Sequence, residues 1–182
     1  SEWRRLVHTV TTPPTCAFLS VHLTNNGGTT WWDACQLETG SQATAYTDSV
    51  PPAPPAVGAA RPGVNAVPNP GFEDELAASG WETLSVNGDR TGVATWGRRS
   101  RHGGQRALAL ETVTLTRRWQ SGLIPLDPAS TYRLSAWLRT VALEGRADVY
   151  LECYGRWLTP VGRAGYDGGV HAYEDCPWTE RY

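Results

Sequence analysis

Apolar and polar residues alternate along this chain with a period of two, in short runs, and no stretch carries a sustained apolar stripe at i, i+3 and i+4. That pattern predicts strands joined by tight turns rather than helices. Strands are expected at Trp3 to Thr9, Thr15 to Leu23 and Thr29 to Leu37, with the second and third joined as a hairpin through Asn25-Asn26-Gly27-Gly28, because Asn-Gly between alternating runs is a strong hairpin signal. Further strands are expected around Trp81 to Val86, Gly92 to Trp96, Ala107 to Leu115, Trp119 to Leu126, Thr131 to Thr140 and Ala147 to Tyr154. Asp127-Pro128-Ala129-Ser130 reads as a turn, since Pro fixes φ and the flanking Asp and Ser can bond local backbone.

Proline divides the chain into three pieces. Residues 1–48 read as strands, residues 49–68 as a stiff, exposed, polyproline-like linker built on Pro51-Pro52-Ala53-Pro54-Pro55, and residues 69–182 as strands again. The first piece is too small to hold a sandwich alone and needs a partner. The segment Trp178-Thr179-Glu180-Arg181 near the end and Trp3-Arg4-Arg5-Leu6 near the start read as one strand entry written twice.

Composition reinforces the all-β reading: of 182 residues, 19 are Gly, 13 Pro and 9 Trp, with 40% hydrophobic. All of the basic residues are Arg, and the net charge of -2 is scattered, which gives no electrostatic reason to expect nucleic acid or an anionic membrane as partner. No membrane span or signal peptide is legible, and the chain, which opens on Ser1 and lacks Met, reads as processed or partial. Cys16, Cys35, Cys153 and Cys176 have no zinc-type spacing and are compatible with two disulfides in an oxidising compartment. Three connectivities are open. The local one, Cys16 with Cys35 across the hairpin and Cys153 with Cys176, is preferred, and four buried thiols are the alternative.

Three blocks of sequence carry a resemblance: Asn69-Pro70-Gly71-Phe72-Glu73 with Gly80-Trp81; Gly104 to Leu108 and Pro128 to Arg139; and Trp31 to Tyr46, which reads Trp-Trp-Asp-Ala-x-Gln-Leu-Glu-x-Gly-x-x-Ala-Thr-x-Tyr. In these the chain resembles the carbohydrate-binding jelly-roll modules attached to xylanases and cellulases and their relatives in phage tail and fibre proteins. The resemblance implies an all-β, jelly-roll β-sandwich with its halves in permuted order, because the block that closes the family pattern stands first here. Residues 1–48 then complete a sandwich whose remainder is 69–182, in the same chain, in a neighbouring copy, or as part of a tandem array.

The same resemblance implies a structural calcium where the opening Glu73 meets the closing Asp33; the alternative is two carboxylates bonded to turn amides. It also implies a sugar-stacking platform, for which Trp32, Trp96, Trp119 and Trp157 are candidates, with Arg139, Glu152 and Tyr154 as polar companions. Trp31 and Trp32 are adjacent, so in a strand they point to opposite faces. No phosphate loop, nucleophile elbow, HExxH or recognisable acid/base pair occurs, and no enzyme is expected. The functional expectation is a non-catalytic subunit of an extracellular or virion-associated fibre, polymerising with copies of itself by strand complementation. The alternative is a glycan-binding module that directs an enzyme or tail tip to polysaccharide.

Overall fold

β-branched and aromatic residues in alternation form strands because one face of each run can be buried while the other stays polar. The computed structural model describes residues 2–42, 44–46, 63–85, 92–112, 117–155, 160–164 and 170–173. Among these lie twelve strands and no helix: β1 (Arg4–Thr11), β2 (Phe18–Asn25), β3 (Gly28–Thr39), β4 (Glu82–Ser85), β5 (Val93–Gly97), β6 (Ala107–Thr112), β7 (Arg117–Gln120), β8 (Ile124–Pro125), β9 (Thr131–Val141), β10 (Arg146–Tyr154), β11 (Pro160–Ala164) and β12 (Val170–Tyr173). They form two antiparallel sheets, one of five strands in the order β1-β9-β3-β6-β5 and one of seven built on β11-β10-β2-β7-β4, with β12 on β10 and β8 on β2. The all-β sandwich expected from the alternation is therefore present. The run expected at 119–126 is two strands, interrupted where Ser121 turns its amide to Val21 O and Gly122 lies against the backbone of Gly80.

Between the sheets sits one hydrophobic core, in which Trp32, Tyr132, Phe72 and a set of leucines including Leu6, Leu19, Leu37 and Leu108 are fully buried. Tyr132 also anchors the turn read from the sequence: its hydroxyl accepts from Asp127 N–H at 2.9 Å and donates to Asp127 O at 3.2 Å.

The Asn-Gly turn departs from expectation. It joins β2 to β3, but these strands belong to opposite sheets and share no ladder, so it is an arch rather than a hairpin. Gly27 and Gly28 take φ of 88° and 79°, Asn25 Nδ2 donates to Gly28 O at 3.0 Å, and Asn26 N–H donates to Arg146 O at 2.7 Å. These tertiary bonds replace the ladder bonds of a hairpin. A Cβ at Gly28 would lie 2.1 Å from Ala142 O. Gly28→Ala is therefore expected to cost about 3 kcal/mol, combining left-handed backbone strain with a clash the backbone cannot relieve. Gly40→Ala, where φ is 106° but nothing lies within 4 Å, should cost about 1 kcal/mol. Urea midpoints of the two variants check the difference.

Every ladder of β1, β2 and β3 runs to a strand beyond residue 100 of the same chain: β1 to β9, β3 to β6 and β9, and β2 to β7, β8 and β10. None runs between the first three strands themselves. Among the described residues β1, β2 and β3 therefore contribute to both sheets and form no ladder with one another. The end of the expected linker is not exposed: Asn65 bridges Leu37 N–H and Cys35 O, Ala66 N–H donates to Leu37 O, and Val67 is fully buried. An Asn-x-Val run outcompetes polyproline character there by bonding to the edge of the β3 bulge. Residues 47–62 and the repeat at Trp178 lie outside the described residues.

Candidate functional site

On the five-stranded sheet the outward positions follow from register. Trp31 opposes Arg139, Asp33 opposes Trp137, and Gln36 opposes Ser135, with two residues of β3 set against one of β9 between Asp33 and Gln36. Ala34, at φ 49°, absorbs this bulge, and the Cys35 amide it frees donates to Pro70 O at 2.8 Å. The bulge brings the loop at 69–74 beside Asp33, and with it Glu73.

Both carboxylates then hold the turn at residues 102–106. Asp33 Oδ1 accepts from Ala34 N–H at 2.7 Å, and its Oδ2 accepts from His102 and Gly103 N–H at 2.8 and 3.0 Å. Glu73 Oε1 accepts from Gln105 and Arg106 N–H at 2.7 and 2.9 Å. Gly104, φ 52°, lies beneath Glu73, and a Cβ there would fall 2.2 Å from Oε1, so the carboxylate would have to shift. Asp33 is 2% exposed. Burial pushes its carboxyl up to about 6, against the opposing pull of the three amides, and the negative charge of Glu73 pushes the same way.

Among the described residues Asp33 and Glu73, the two carboxylates that the resemblance named together, are each bonded to turn amides. This bonding is compatible with calcium. Oxygen donors and two mutually repelling carboxylates suit a hard cation, and Glu73 Oε2 bonds no described residue. Carbonyl oxygens and water would have to supply the remaining ligands, because no group of three or more His, Cys, Asp or Glu side chains occurs among the described residues.

The clamped turn projects His102 onto the sheet. Its ring stacks on Trp137 with centroids 3.7 Å apart and 15° between planes, and Trp3 meets it edge-on at 5.9 Å. Beside them the Arg139 guanidinium lies 5.6 Å from the Trp31 ring centre and donates to Ser100 Oγ at 3.0 Å. Trp3, Trp31 and Trp137 are all half-buried, so this face offers aromatic surface next to a guanidinium.

This is not the platform expected from the sequence. Trp32 and Trp119 point into the sandwich, Trp119 with its Nε1 donating to Ala109 O at 3.0 Å, so neither presents a face to solvent. Trp96 packs against the core under the Arg106 guanidinium, 4.0 Å from its ring centre, with Nε1 bonded to Phe72 O at 2.6 Å. Trp157 lies outside the described residues. Of the companions, Arg139 is on the five-stranded sheet, while Glu152 and Tyr154 are on the other. The alternation rule carried the missing signal: an outward Asp33 requires an outward Trp31 and an inward Trp32.

Glu152 and Tyr154 belong to a second polar cluster on β2 and β10. Tyr154 OH donates to Glu152 Oε2 at 3.0 Å, and His22 Nε2 is 3.2 Å from the same oxygen and 2.7 Å from Ser20 Oγ. Tyr150 stacks on His22 at 4.9 Å, and its hydroxyl accepts from Arg118 at 3.0 Å. Serine and carboxylate meet the same ring nitrogen, whereas a nucleophile relay uses the two different nitrogens of one imidazole. The cluster therefore has the geometry of a polar ladder rather than of a charge-transfer triad.

Comparison with protein-family models, curated proteins and solved structures finds no match to this chain.

Proposed function

We propose that this chain is a non-catalytic recognition module that binds an extracellular polysaccharide on the outer face of its five-stranded sheet, with Asp33 and Glu73 able to hold a structural calcium ion behind that face. The observation that carries this reading is the strip of half-buried Trp3, Trp31 and Trp137 with the Arg139 guanidinium alongside. Indole faces stack on the C–H surfaces of pyranose rings, and a guanidinium bonds hydroxyls or a uronate carboxylate. The Arg139 guanidinium donates to Ser100 Oγ and lies over the Trp31 ring, so an acidic sugar stacked on this strip would meet a positive charge. The calcium would supply charge neutralisation, and the residues that would hold it also fix His102 through its amide, which ties the order of the clamp to the order of the aromatic strip.

Electrophoresis of the full chain through gels containing polygalacturonate or xylan tests this. Retardation is expected to be stronger on the acidic polymer, to weaken with salt, and to be lost in Trp137→Ala. Equal mobility on every polymer, or unchanged retardation of Trp137→Ala, would overturn it.

Assembly into a fibre by exchange of residues 1–48 between copies is the second reading. It is favoured by the absence of any ladder among β1, β2 and β3, because every bond they make could be made equally to another copy. A concentration-dependent polymer series in size-exclusion chromatography would support that assembly, and a monomer at all concentrations would remove it.

A further inference from the structure

Two buried cysteines far apart in the sequence, Cys16 and Cys153, lie as thiols at one edge of the core. Cys153 lies on β10 opposite Leu19 of β2, in the fully buried row that includes Leu151. Cys16 lies just before β2, where the chain folds back: its N–H donates to Pro13 O at 3.0 Å, and the next amide, of Ala17, donates to Tyr154 O at 2.8 Å. This places its thiol beneath the β2–β10 ladder. Its Sγ donates to Phe18 O at 3.2 Å, and the Cys153 side chain is near enough to act on its ionisation. Both side chains are fully buried. Cys35 belongs to the bulge of the opposite sheet, where its interaction is with the Gln36 backbone. The pairing of Cys16 with Cys35 expected from the sequence rested on a hairpin that the arch at Gly27-Gly28 replaces, and Cys176 lies outside the described residues.

We propose that Cys16 and Cys153 of one chain are joined by a disulfide when the protein folds in an oxidising medium, and that Cys35 stays a thiol. The oxidant is a low-molecular-weight disulfide such as oxidised glutathione. The thiolate of one cysteine attacks it, its S–S bond breaks, and one small thiol leaves after taking up a proton. The thiolate of the second cysteine then attacks the protein sulfur of the mixed disulfide, closing the bond and releasing a second small thiol. Two protein thiols are oxidised, one small disulfide is reduced, and the two protons end on the released thiols.

Burial raises the Cys16 thiol above its ordinary range, with the Cys153 contact pulling the other way, so thiolate is scarce once the edge has packed. Closure therefore belongs to the folding stage, and the finished bond is shielded from reductant. Such a bond ties the opening block to β10 of its own chain and fixes which copy receives β1, β2 and β3.

The full chain refolded in a glutathione redox buffer, alkylated and digested without reduction, is expected to yield one linked peptide pair containing Cys16 and Cys153, with Cys35 alkylated after denaturation. On a non-reducing gel it should migrate as a monomer. Oxidation should raise the thermal midpoint by roughly 10 °C, as a cross-link closing a long loop does, and this rise should vanish in Cys16→Ser and in Cys153→Ser but persist in Cys35→Ala. Linked peptides joining Cys16 to Cys35 or Cys153 to Cys176, a covalent ladder of chains, or complete alkylation of Cys16 and Cys153 in the wild type would each overturn the proposal. The peptide map of the wild type decides it even if a serine variant fails to fold.

Discussion

Trp32→Ala is expected to lower the folding stability by about 3–5 kcal/mol, while Trp31→Ala, one residue earlier, should lower it by about 1 kcal/mol and act on polysaccharide binding instead. Trp32 is 0% exposed in the core, and its Nε1 donates to Thr30 Oγ1 at 3.2 Å, so truncation leaves a large cavity and an unsatisfied hydroxyl. Trp31 is half-buried on the outer face, where it supports Arg139 and adjoins solvent. Urea unfolding of the two variants measures the first difference. Gel retardation on polygalacturonate measures the second, for which a loss of about tenfold in affinity at Trp31→Ala matches the removal of one stacking contact. Equal destabilisation by the two substitutions would mean that the register of β3 is not the one described.

Raising the pH from 3 to 7 without divalent cation is expected to destabilise the chain through Asp33 by about 3 kcal/mol. The carboxyl titrates near 3.8 in the unfolded chain and at about 6 in the folded one. Between those values the folded state binds more protons than the unfolded state, so stability falls as pH rises through the window and stays low above the folded value. A difference of roughly two units corresponds to about 3 kcal/mol.

Asp33→Asn cannot ionise and should flatten this slope. Its absolute stability will also change, because the amide group cannot accept from Ala34 on one side and from His102 and Gly103 on the other, so the slope is the quantity to compare. Millimolar calcium should restore the wild type at pH 7, leave it unchanged at pH 4, and do nothing for Asp33→Asn. Parallel pH profiles for wild type and variant would remove the assigned shift. An identical profile with and without calcium would remove the ion.

The pairing of Glu73 with Asp33 came from the family resemblance alone, whose motifs, Asn69 to Glu73 and Trp31 to Asp33, are contiguous stretches that can be read without tertiary information. The turn that binds both carboxylates was not legible, since His102 to Arg106 has no motif that advertises free backbone amides. The outward strip of Trp3, Trp31 and Trp137 was not read from the sequence, for a different reason. A sequence tells that Trp31 and Trp32 face opposite ways without telling which is outside, and only their shared register with Asp33, Trp137 and Arg139 settles it.

Alternation and turn residues by themselves determined that the chain is all-β and roughly where nine strand runs lie, because these follow from local backbone preference. Tertiary structure decided which strands pair. Asn25 to Gly28 carries the same letters whether it makes a hairpin or an arch; the bonds of Asn26 to Arg146 and the close approach of Gly28 to Ala142 select the arch. That choice sends β2 and β3 to opposite sheets, sets Cys16 against Cys153 rather than Cys35, and turns Trp31 outward, because partners far apart in sequence meet only when both sheets have closed over a common core.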